Sequence, residues 1–253
     1  MSLSSADFWI ALVQIIGVNI VLSGDNAVVI ALAARGLPAR QQSRAVAWGS
    51  GAAVAMRIVL TIVAVELLRM PWLKLIGAVM LLWIAVKLLV PDEEEGTGAT
   101  AATGLGAAIR TILVADLVMS LDNVIAVAAA AGGSTTLLII GLAISIPLVI
   151  FGATMLLKLM ERWPIIITIG AGLLGFVAGE MAWEDKAIAG FTAQFPSSAK
   201  YVVAVICTIF VVGLGRYLAG RSLEKASKQK VQHLEEKGAH LAGVKDPASK
   251  DPS

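Results

Sequence analysis

The chain has 253 residues, of which 58% are hydrophobic and only 15% are charged, whereas soluble domains contain about a quarter charged residues. A soluble protein this apolar would expose patches large enough to aggregate. The composition therefore excludes a soluble protein and predicts an all-α integral membrane protein. The net charge of +2, with most basic residues in loops and the tail, excludes a dispersed nucleic-acid-binding surface, and the single Cys207 excludes an internal disulfide and a thiolate metal cluster.

Apolar runs of about 20 residues, the length that crosses a bilayer, predict seven transmembrane helices. They cover residues 8–34, 44–67, 72–90, 107–131, 135–158, 164–183 and 200–219. An acidic linker rich in Gly and Thr, residues 91–106, separates the third span from the fourth. The N-terminus has no Lys or Arg before its apolar run, so it predicts no cleaved signal peptide. Residues 220–253 are predicted to be a basic cytoplasmic tail with a short solvated helix and a disordered end.

Basic residues near the span ends predict how the chain is oriented in the membrane, because cytoplasmic loops are enriched in Lys and Arg. One side collects Arg35, Arg40, Arg44, Lys158, Arg162, Arg216 and the basic tail. The opposite side carries few basic residues. We therefore expect a multi-pass protein of a bacterial inner membrane, with the N-terminus outside and the C-terminus in the cytoplasm.

Two similar polar motifs interrupt the first and fourth spans. The first, Ser23–Asn26, reads SGDN, and the second, Ser120–Asn123, reads SLDN. In each motif an Asp follows a Ser by two residues and immediately precedes an Asn. The two carboxylates, Asp25 and Asp122, lie 97 residues apart, each in the interior of an apolar span.

The third and sixth spans also match, since PWLKLIGA from Pro71 corresponds to PIIITIGA from Pro164. Spans one to three, residues 8–90, therefore repeat as spans four to six, residues 107–183, and the seventh span is extra. Because three is odd, the second copy enters the bilayer from the opposite side. This 3+3 inverted repeat predicts a transporter whose solute binds near the midplane, between the copies.

The two motif carboxylates predict a functional site rather than structural contacts between helices. A charge inside the membrane costs about 2.5–3.5 kcal/mol on insertion scales, whereas a polar contact between helices returns only about 0.6 kcal/mol on average. The candidate ligands are all oxygen donors: Asp25, Asn26, Asp122, Asn123, Asp116, Asn19, Ser23 and Ser120. Oxygen ligands suit Mg²⁺, Ca²⁺ and Mn²⁺, while Zn²⁺, Cu and Ni²⁺ favour imidazole or thiolate. We therefore expect a hard divalent cation as the cargo, and no resident cofactor.

Two further charged residues of the spans have alternative interpretations. Asp116 lies six residues before Asp122, about 240° around an unbroken helix, so it joins the site only if the helix is distorted at Ser120. Otherwise it is a proton or entry site. Arg57, deep in the second span, is either a counter-ion to the Asp pair or part of a gate.

The motifs resemble those of a known family. NIVLSGDNAVVIALAARGLP at Asn19–Pro38 and DLVMSLDNVIAVA at Asp116–Ala128 are similar to the TerC family of integral membrane proteins, and within it to the YjbE-type branch associated with manganese-responsive regulation. The resemblance covers residues 8–219 and implies export of Mn²⁺ or a related cation, with Asp25 and Asp122 as the motif carboxylates. Many TerC-like proteins carry an acidic residue where this chain has Asn19. That departure lowers the formal charge of the site by one and leaves the coupling ion open.

Two other functional classes remain as alternatives. An intramembrane aspartyl hydrolase also uses two Asp residues on facing helices to activate water, but such enzymes resemble one another in a Gly where this chain has Leu22. A non-transporting membrane scaffold would recruit partners through its basic tail and would lose its function with that tail. We therefore expect no enzyme activity. The predicted partners are a divalent metal ion and the lipid bilayer, with no nucleic acid, and a homo-oligomer is left open.

Overall fold

The computed structural model of the protein describes residues 6–22, 24–67, 70–90, 101–130 and 134–244. Within these ranges the structure does not describe the side chains of residues 6–7, 11, 18–22, 62–67, 101–103, 121–130 and 135, nor most of those after 224.

The described residues form helices and connecting turns without any β-strand, so the predicted all-α class is confirmed. The helices are α1 (Ala6–Leu22), α2 (Gly24–Ala34), α3 (Ala39–Leu67), α4 (Leu73–Leu89), α5 (Ala101–Ala130), α6 (Thr135–Arg162), α7 (Ile165–Trp183), α8 (Ala189–Thr192) and α9 (Ala199–Val244). A short 3-10 helix, Lys186–Ile188, precedes α8.

Three described segments are long and apolar enough to cross a membrane, namely Thr136–Arg162, Ile165–Trp183 and Ala199–Glu224. Shorter apolar helices cover Phe8–Gly17 and Gly24–Ala34. The structure therefore agrees with a multi-span helical protein, and the count of seven spans stays a prediction.

The predicted boundaries differ from the structure at several places. The first predicted span contains two helices, α1 and α2, and α3 begins at Ala39, before the predicted residue 44. Helix α5 begins at Ala101, inside the predicted linker, because residues 101–106 contain no proline to oppose a helix. Helix α9 continues to Val244, so the described part of the tail extends the last predicted span as one helix. Ala, Leu, Glu and Lys dominate that extension, and all four favour helix. The pair of short helices between α7 and α9 was not predicted.

Two matching glycine–isoleucine contacts hold the helices together. Gly49 of α3 lies against Ile112 of α5, where a Cβ on the glycine would stand 2.7 Å from the isoleucine Cδ1. Gly141 of α6 lies against Ile15 of α1 in the same way. The two isoleucines are 97 residues apart, the separation of Asp25 and Asp122, and the two glycines are 92 apart. The two predicted halves therefore use one type of helix contact twice.

Side chains from distant segments hold both ends of α4. At its N-terminus, the Asp185 carboxylate accepts hydrogen bonds from the backbone N–H groups of Trp72 at 3.0 Å and Leu75 at 2.9 Å. At its C-terminus, Arg35 donates to the Leu88 carbonyl at 2.8 Å. Both contacts satisfy backbone groups that have no partner inside the helix. They tie α4 to the segments that follow α7 and α2.

Candidate functional site

A buried arginine of α3 binds two side chains of α5. Arg57 Nη2 donates to Asp116 Oδ1 at 2.5 Å, and Arg57 Nε donates to Ser120 Oγ at 2.9 Å. Ser120 Oγ in turn donates to Asp116 Oδ2 at 3.1 Å. The three residues are 3%, 6% and 0% exposed, respectively. Because an unpaired buried charge costs several kcal/mol, each charge of this pair depends on the other for its place in the bundle.

Helix geometry explains why these side chains meet. Asp116 and Ser120 are four residues apart, so both project from one face of α5. That face lies against α3, since Ile112, one turn before Asp116, packs against Gly49. The contacts advance along both helices together, from Gly49 with Ile112 to Arg57 with Asp116, so α3 and α5 run parallel.

Asp25 extends this arrangement to a third helix. It lies in the first turn of α2, half-buried, and its Oδ1 accepts the backbone N–H of Asn26 at 2.8 Å. Its carboxylate interacts electrostatically with both Arg57 and Asp116. Helices α2, α3 and α5 therefore each contribute a charged side chain to one polar layer inside the apolar bundle.

Asn26 has an open hydrogen-bonding capacity within the bundle. It is 3% exposed, yet neither its Oδ1 nor its Nδ2 has a hydrogen-bond partner in the described part of the chain. Ser50, two turns before Arg57 on α3, is 1% exposed with an equally unpartnered Oγ. A buried polar group without a partner costs about 1–3 kcal/mol. Such atoms have the capacity to bind a ligand.

The structure brings together some of the predicted ligands and leaves others unplaced. Asp25, Asp116 and Ser120 share the polar layer, and Asn26 adjoins it. The side chains of Asn19, Asp122 and Asn123 lie outside the described residues, as does Ser23 entirely. The predicted meeting of Asp25 with Asp122 therefore stays a prediction. The residues that the structure describes contain no group of three or more His, Cys, Asp or Glu side chains arranged to hold a metal.

The structure identifies a partner of Arg57, which the sequence had predicted to be either a counter-ion or part of a gate. Arg57 donates hydrogen bonds to Asp116 and Ser120, and it also interacts electrostatically with Asp25. As a counter-ion, Arg57 was predicted to pair with the two motif carboxylates, Asp25 and Asp122. The pairing with Asp116 had no signal in the sequence, because 59 residues separate the two partners.

The structure contains a second buried carboxylate, Asp185, which the sequence analysis did not identify. It is 1% exposed and accepts three backbone N–H groups, those of Trp72, Leu75 and, at 2.7 Å, Ala187. Burial by itself would raise the pKa of Asp185, but the backbone donors lower it by more, so that the pKa lies below its ordinary value. Its position just after the last span of the repeat, before a short helical turn, is typical of an N-cap.

Two ion pairs flank Asp185 at the bundle surface. Lys74 pairs with Glu184 at 3.2 Å, and Lys200 pairs with Glu180 at 3.6 Å. All four side chains retain solvent exposure, from 23% to 45%. This end of the bundle is thus held by hydrogen bonds and ion pairs, and Asp185 is bound by backbone donors, whereas Asp116 in the polar layer is bound by side chains.

Comparison with known proteins places the chain among bacterial membrane proteins. It matches the integral membrane protein TerC family over residues 4–223. It is 42% identical over 206 residues to the uncharacterized membrane protein YjbE of Bacillus subtilis, and the aligned region covers 81% of this chain and 94% of YjbE. It is 25% identical over 220 residues to YceF of the same organism, covering 82% of this chain and 83% of YceF.

A further relative is the inner membrane protein YgdQ of Escherichia coli K12, 28% identical over 197 residues, 70% of this chain and 81% of YgdQ. No solved structure matches the chain.

Proposed function

The chain belongs to the TerC family of integral membrane proteins, and from that premise we propose that it transports a divalent metal cation, with Mn²⁺ efflux from the cytoplasm as its activity. The observation that carries the proposal is the polar layer, in which the half-buried Asp25 adjoins the buried amide of Asn26, an amide without a hydrogen-bond partner among the described residues. Asp122 and Asn123 complete the site in this proposal through the second motif.

The chemistry of the donors supports a hard cation. Asp25 offers a carboxylate and Asn26 a carbonyl oxygen, and the second motif repeats this pair of donors. Softer ligands are located elsewhere, since Cys207 is on α9 and both histidines are in the tail. Oxygen donors of this kind bind Mg²⁺, Ca²⁺ and Mn²⁺. Among these cations we propose Mn²⁺, which the resemblance of the two motifs to the TerC family favours.

The helix contacts support the inverted repeat that the mechanism needs. The pair Gly49–Ile112 joins α3 to α5, and the pair Gly141–Ile15 joins α6 to α1, with each isoleucine at the equivalent position of its half. In inverted-repeat transporters, one half rocks against the other around a fixed midplane site. We propose the same for this chain, with seven spans, an external N-terminus and a cytoplasmic C-terminus.

The pairing of Arg57 with Asp116 disfavours an aspartyl hydrolase that would use Asp116 as the second carboxylate beside Asp25, and the pair of Asp25 and Asp122 stays the alternative that the sequence left open. In such an enzyme two nearby carboxylates share a proton because both cannot be ionised. Here Asp116, the carboxylate that interacts with Asp25, is held by a guanidinium and by Ser120. Both carboxylate oxygens of Asp116 thus have partners other than Asp25.

Transport by the purified full-length protein tests the proposal. In proteoliposomes that contain an Mn²⁺-sensitive dye, the wild type should give a saturable Mn²⁺ flux. Asp25→Asn and Asp122→Asn should each reduce the flux to the rate of protein-free vesicles, because the amide keeps the volume and removes the charge. Glu161→Gln makes the same change at an exposed site on α6 and should transport as the wild type does. Absence of wild-type flux, or full flux in Asp25→Asn, would refute the proposal.

A further inference from the structure

Ser50 of α3 is a buried serine whose hydroxyl makes no hydrogen bond within the part of the chain that the structure describes. Ser50 is 1% exposed, and its Oγ has no partner among these residues. Hydroxyl side chains in helices often donate to the carbonyl one turn earlier, as Thr61 of the same helix does to the Arg57 carbonyl at 2.7 Å. A buried hydroxyl without a partner destabilises a fold. Its presence at position 50 therefore needs an explanation.

The other half of the predicted repeat has an apolar residue at the equivalent position. Gly49 and Gly141 make matching contacts with isoleucines, so the residues that follow them, Ser50 and Leu142, correspond to each other. Leu142 is 0% exposed and belongs to an apolar cluster of α1, α3 and α6. A leucine thus satisfies the packing at this position of the repeat. The hydroxyl of Ser50 has a reason other than packing.

Ser50 lies between two separate apolar clusters of the bundle. Val46, one turn before it, belongs to the larger cluster, which also contains most of α2. Val54, one turn after it, belongs to the cluster that contains Leu142. Residues 46, 50 and 54 follow one face of α3, because they are four apart. Ser50 therefore marks the place on this face where the apolar packing is interrupted.

Asn26 reaches the edge of the same larger cluster from α2. It directly precedes Ala27, the first α2 residue of that cluster, and α2 packs against α3. Among the described residues, the buried side-chain atoms without a hydrogen-bond partner belong to Asn26, Ser50 and Gln41. All three residues are on these two helices, and Gln41 is only half-buried, near the start of α3. Two neighbouring helices thus each present a fully buried oxygen with open capacity at the border of one cluster.

We propose that Ser50 Oγ is a further ligand of the cation, and that it holds the ion together with the amide oxygen of Asn26 and the carboxylate of Asp25. The inference rests on the proposed function, since it adds a residue to the same site. Serine and threonine hydroxyls bind hard divalent cations such as Mg²⁺, and a hydroxyl adds an oxygen without adding charge. Because Leu142 offers no oxygen at the equivalent position, this ligand belongs to the first motif alone.

A thiol in place of the hydroxyl tests whether Ser50 touches the ion. The full-length protein carries Cys207→Ser, so that Ser50→Cys contains a single thiol. Because thiolates favour soft metals, Cd²⁺ should bind Ser50→Cys at least about tenfold more tightly than it binds the Cys207→Ser parent. Binding should also produce the ultraviolet charge-transfer band of a cadmium–thiolate bond. Excess Mn²⁺ should remove this band, because both ions occupy one site.

Ser145→Cys in the same background is the matched control. Ser145 is a buried serine of α6, 0% exposed, and its hydroxyl donates to the Leu142 carbonyl at 2.7 Å. The substitution therefore places a thiol of the same size at an equally buried position outside the proposed site. Ser145→Cys should give no cadmium–thiolate band.

A folded Ser50→Cys variant without the band, or with a band that excess Mn²⁺ does not remove, would overturn the inference. An equal band in Ser145→Cys would overturn it as well, because any buried thiol would then bind the ion. Wild-type Mn²⁺ flux without the band would refute the inference alone. A band that Mn²⁺ removes, in a protein that gives no Mn²⁺ flux, would refute the proposed transport and support the site.

Alanine variants cover the case in which Ser50→Cys does not fold. Ser50→Ala should weaken Mn²⁺ binding about tenfold, measured by calorimetry in detergent. It should leave the Tm of the metal-free protein unchanged or higher, because the hydroxyl that it removes has no hydrogen-bond partner in the described part of the chain. Ser145→Ala should do the opposite, lowering the Tm and leaving Mn²⁺ affinity unchanged, since its hydroxyl is hydrogen-bonded. Wild-type Mn²⁺ affinity in Ser50→Ala would overturn the assignment of Ser50 as a ligand.

Discussion

The two buried carboxylates Asp185 and Asp116 are satisfied in opposite ways. Asp185 accepts backbone N–H groups from the start of α4 and from the turn after α7, and so joins two segments of the chain. Asp116 is paired with a guanidinium in a layer that also contains Asp25 and the amide of Asn26, which has no hydrogen-bond partner among the residues that the structure describes. The first arrangement uses its carboxylate fully for structure. The second keeps polar atoms open inside an apolar bundle, which costs stability, and in the proposed function a cation binds beside these atoms.

The largest expected effect separates binding from stability at the polar layer. Asp25→Asn should reduce Mn²⁺ affinity at least about a hundredfold while leaving the Tm of the metal-free protein unchanged or slightly higher, because it removes a buried charge that serves function. Calorimetric binding and thermal unfolding in detergent measure the two quantities on one sample. A metal-free Tm that falls as far as in Asp185→Asn would show that Asp25 is structural, and the comparison would fail.

Replacement of the other buried carboxylate, Asp185, is expected to have the next largest effect. Asp185→Asn places an amide N–H₂ opposite backbone N–H donors and should cost about 1–3 kcal/mol. For a chain of this size, that cost corresponds to a Tm lower by roughly 5 °C. Mn²⁺ flux per inserted molecule should stay at the wild-type rate, because the polar layer is untouched. Loss of flux at unchanged Tm would instead place Asp185 in the transport path.

The difference between the two carboxylates explains what the sequence could predict. Asp25 was found because its motif is repeated 97 residues later within apolar spans, and a charge in such a span is a strong signal. Asp185 lies in a polar connection, where an Asp is ordinary. Its partners Trp72 and Leu75 are 113 and 110 residues away. No local pattern predicts a contact of that range.

The predicted fold is correct where hydrophobic length marks a helix, and it is wrong where a polar sequence or tertiary packing decides the structure. Helices α6 and α7 were predicted within a few residues, because hydrophobic length and Pro164 mark their limits. The extension of α9 to Val244 was predicted only as a short helix, since its polar sequence resembles that of a disordered tail. Arg57 was recognised as a buried charge, but its partner on α5 depends on tertiary packing.

Acidification should reduce the contribution of Asp185. Its pKa is lower in the folded chain than the value of about 3.9 expected when unfolded, so its stabilisation is complete above that value and is lost as the pH falls through the folded pKa. The Tm difference between wild type and Asp185→Asn should therefore be constant from about pH 8 to about pH 6 and should shrink below about pH 4. Asn does not titrate, so this difference isolates Asp185. A difference that grows upon acidification would contradict the lowered pKa.

The smallest effect is expected from Glu184→Gln, the immediate neighbour of Asp185. Glu184 is 45% exposed and pairs with Lys74 at 3.2 Å and with Lys200 at 4.0 Å. Exposed ion pairs contribute only about 0.2–1 kcal/mol, because water screens the charges and two long side chains lose rotamer freedom. The Tm should therefore fall by no more than about 2–4 °C, and the loss should disappear in high salt, which screens surface charges. The loss in Asp185→Asn should persist in the same salt, since its hydrogen bonds are buried. Equal losses with equal salt dependence would mean that this end of the bundle is held by net charge, and that the backbone contacts of Asp185 contribute little.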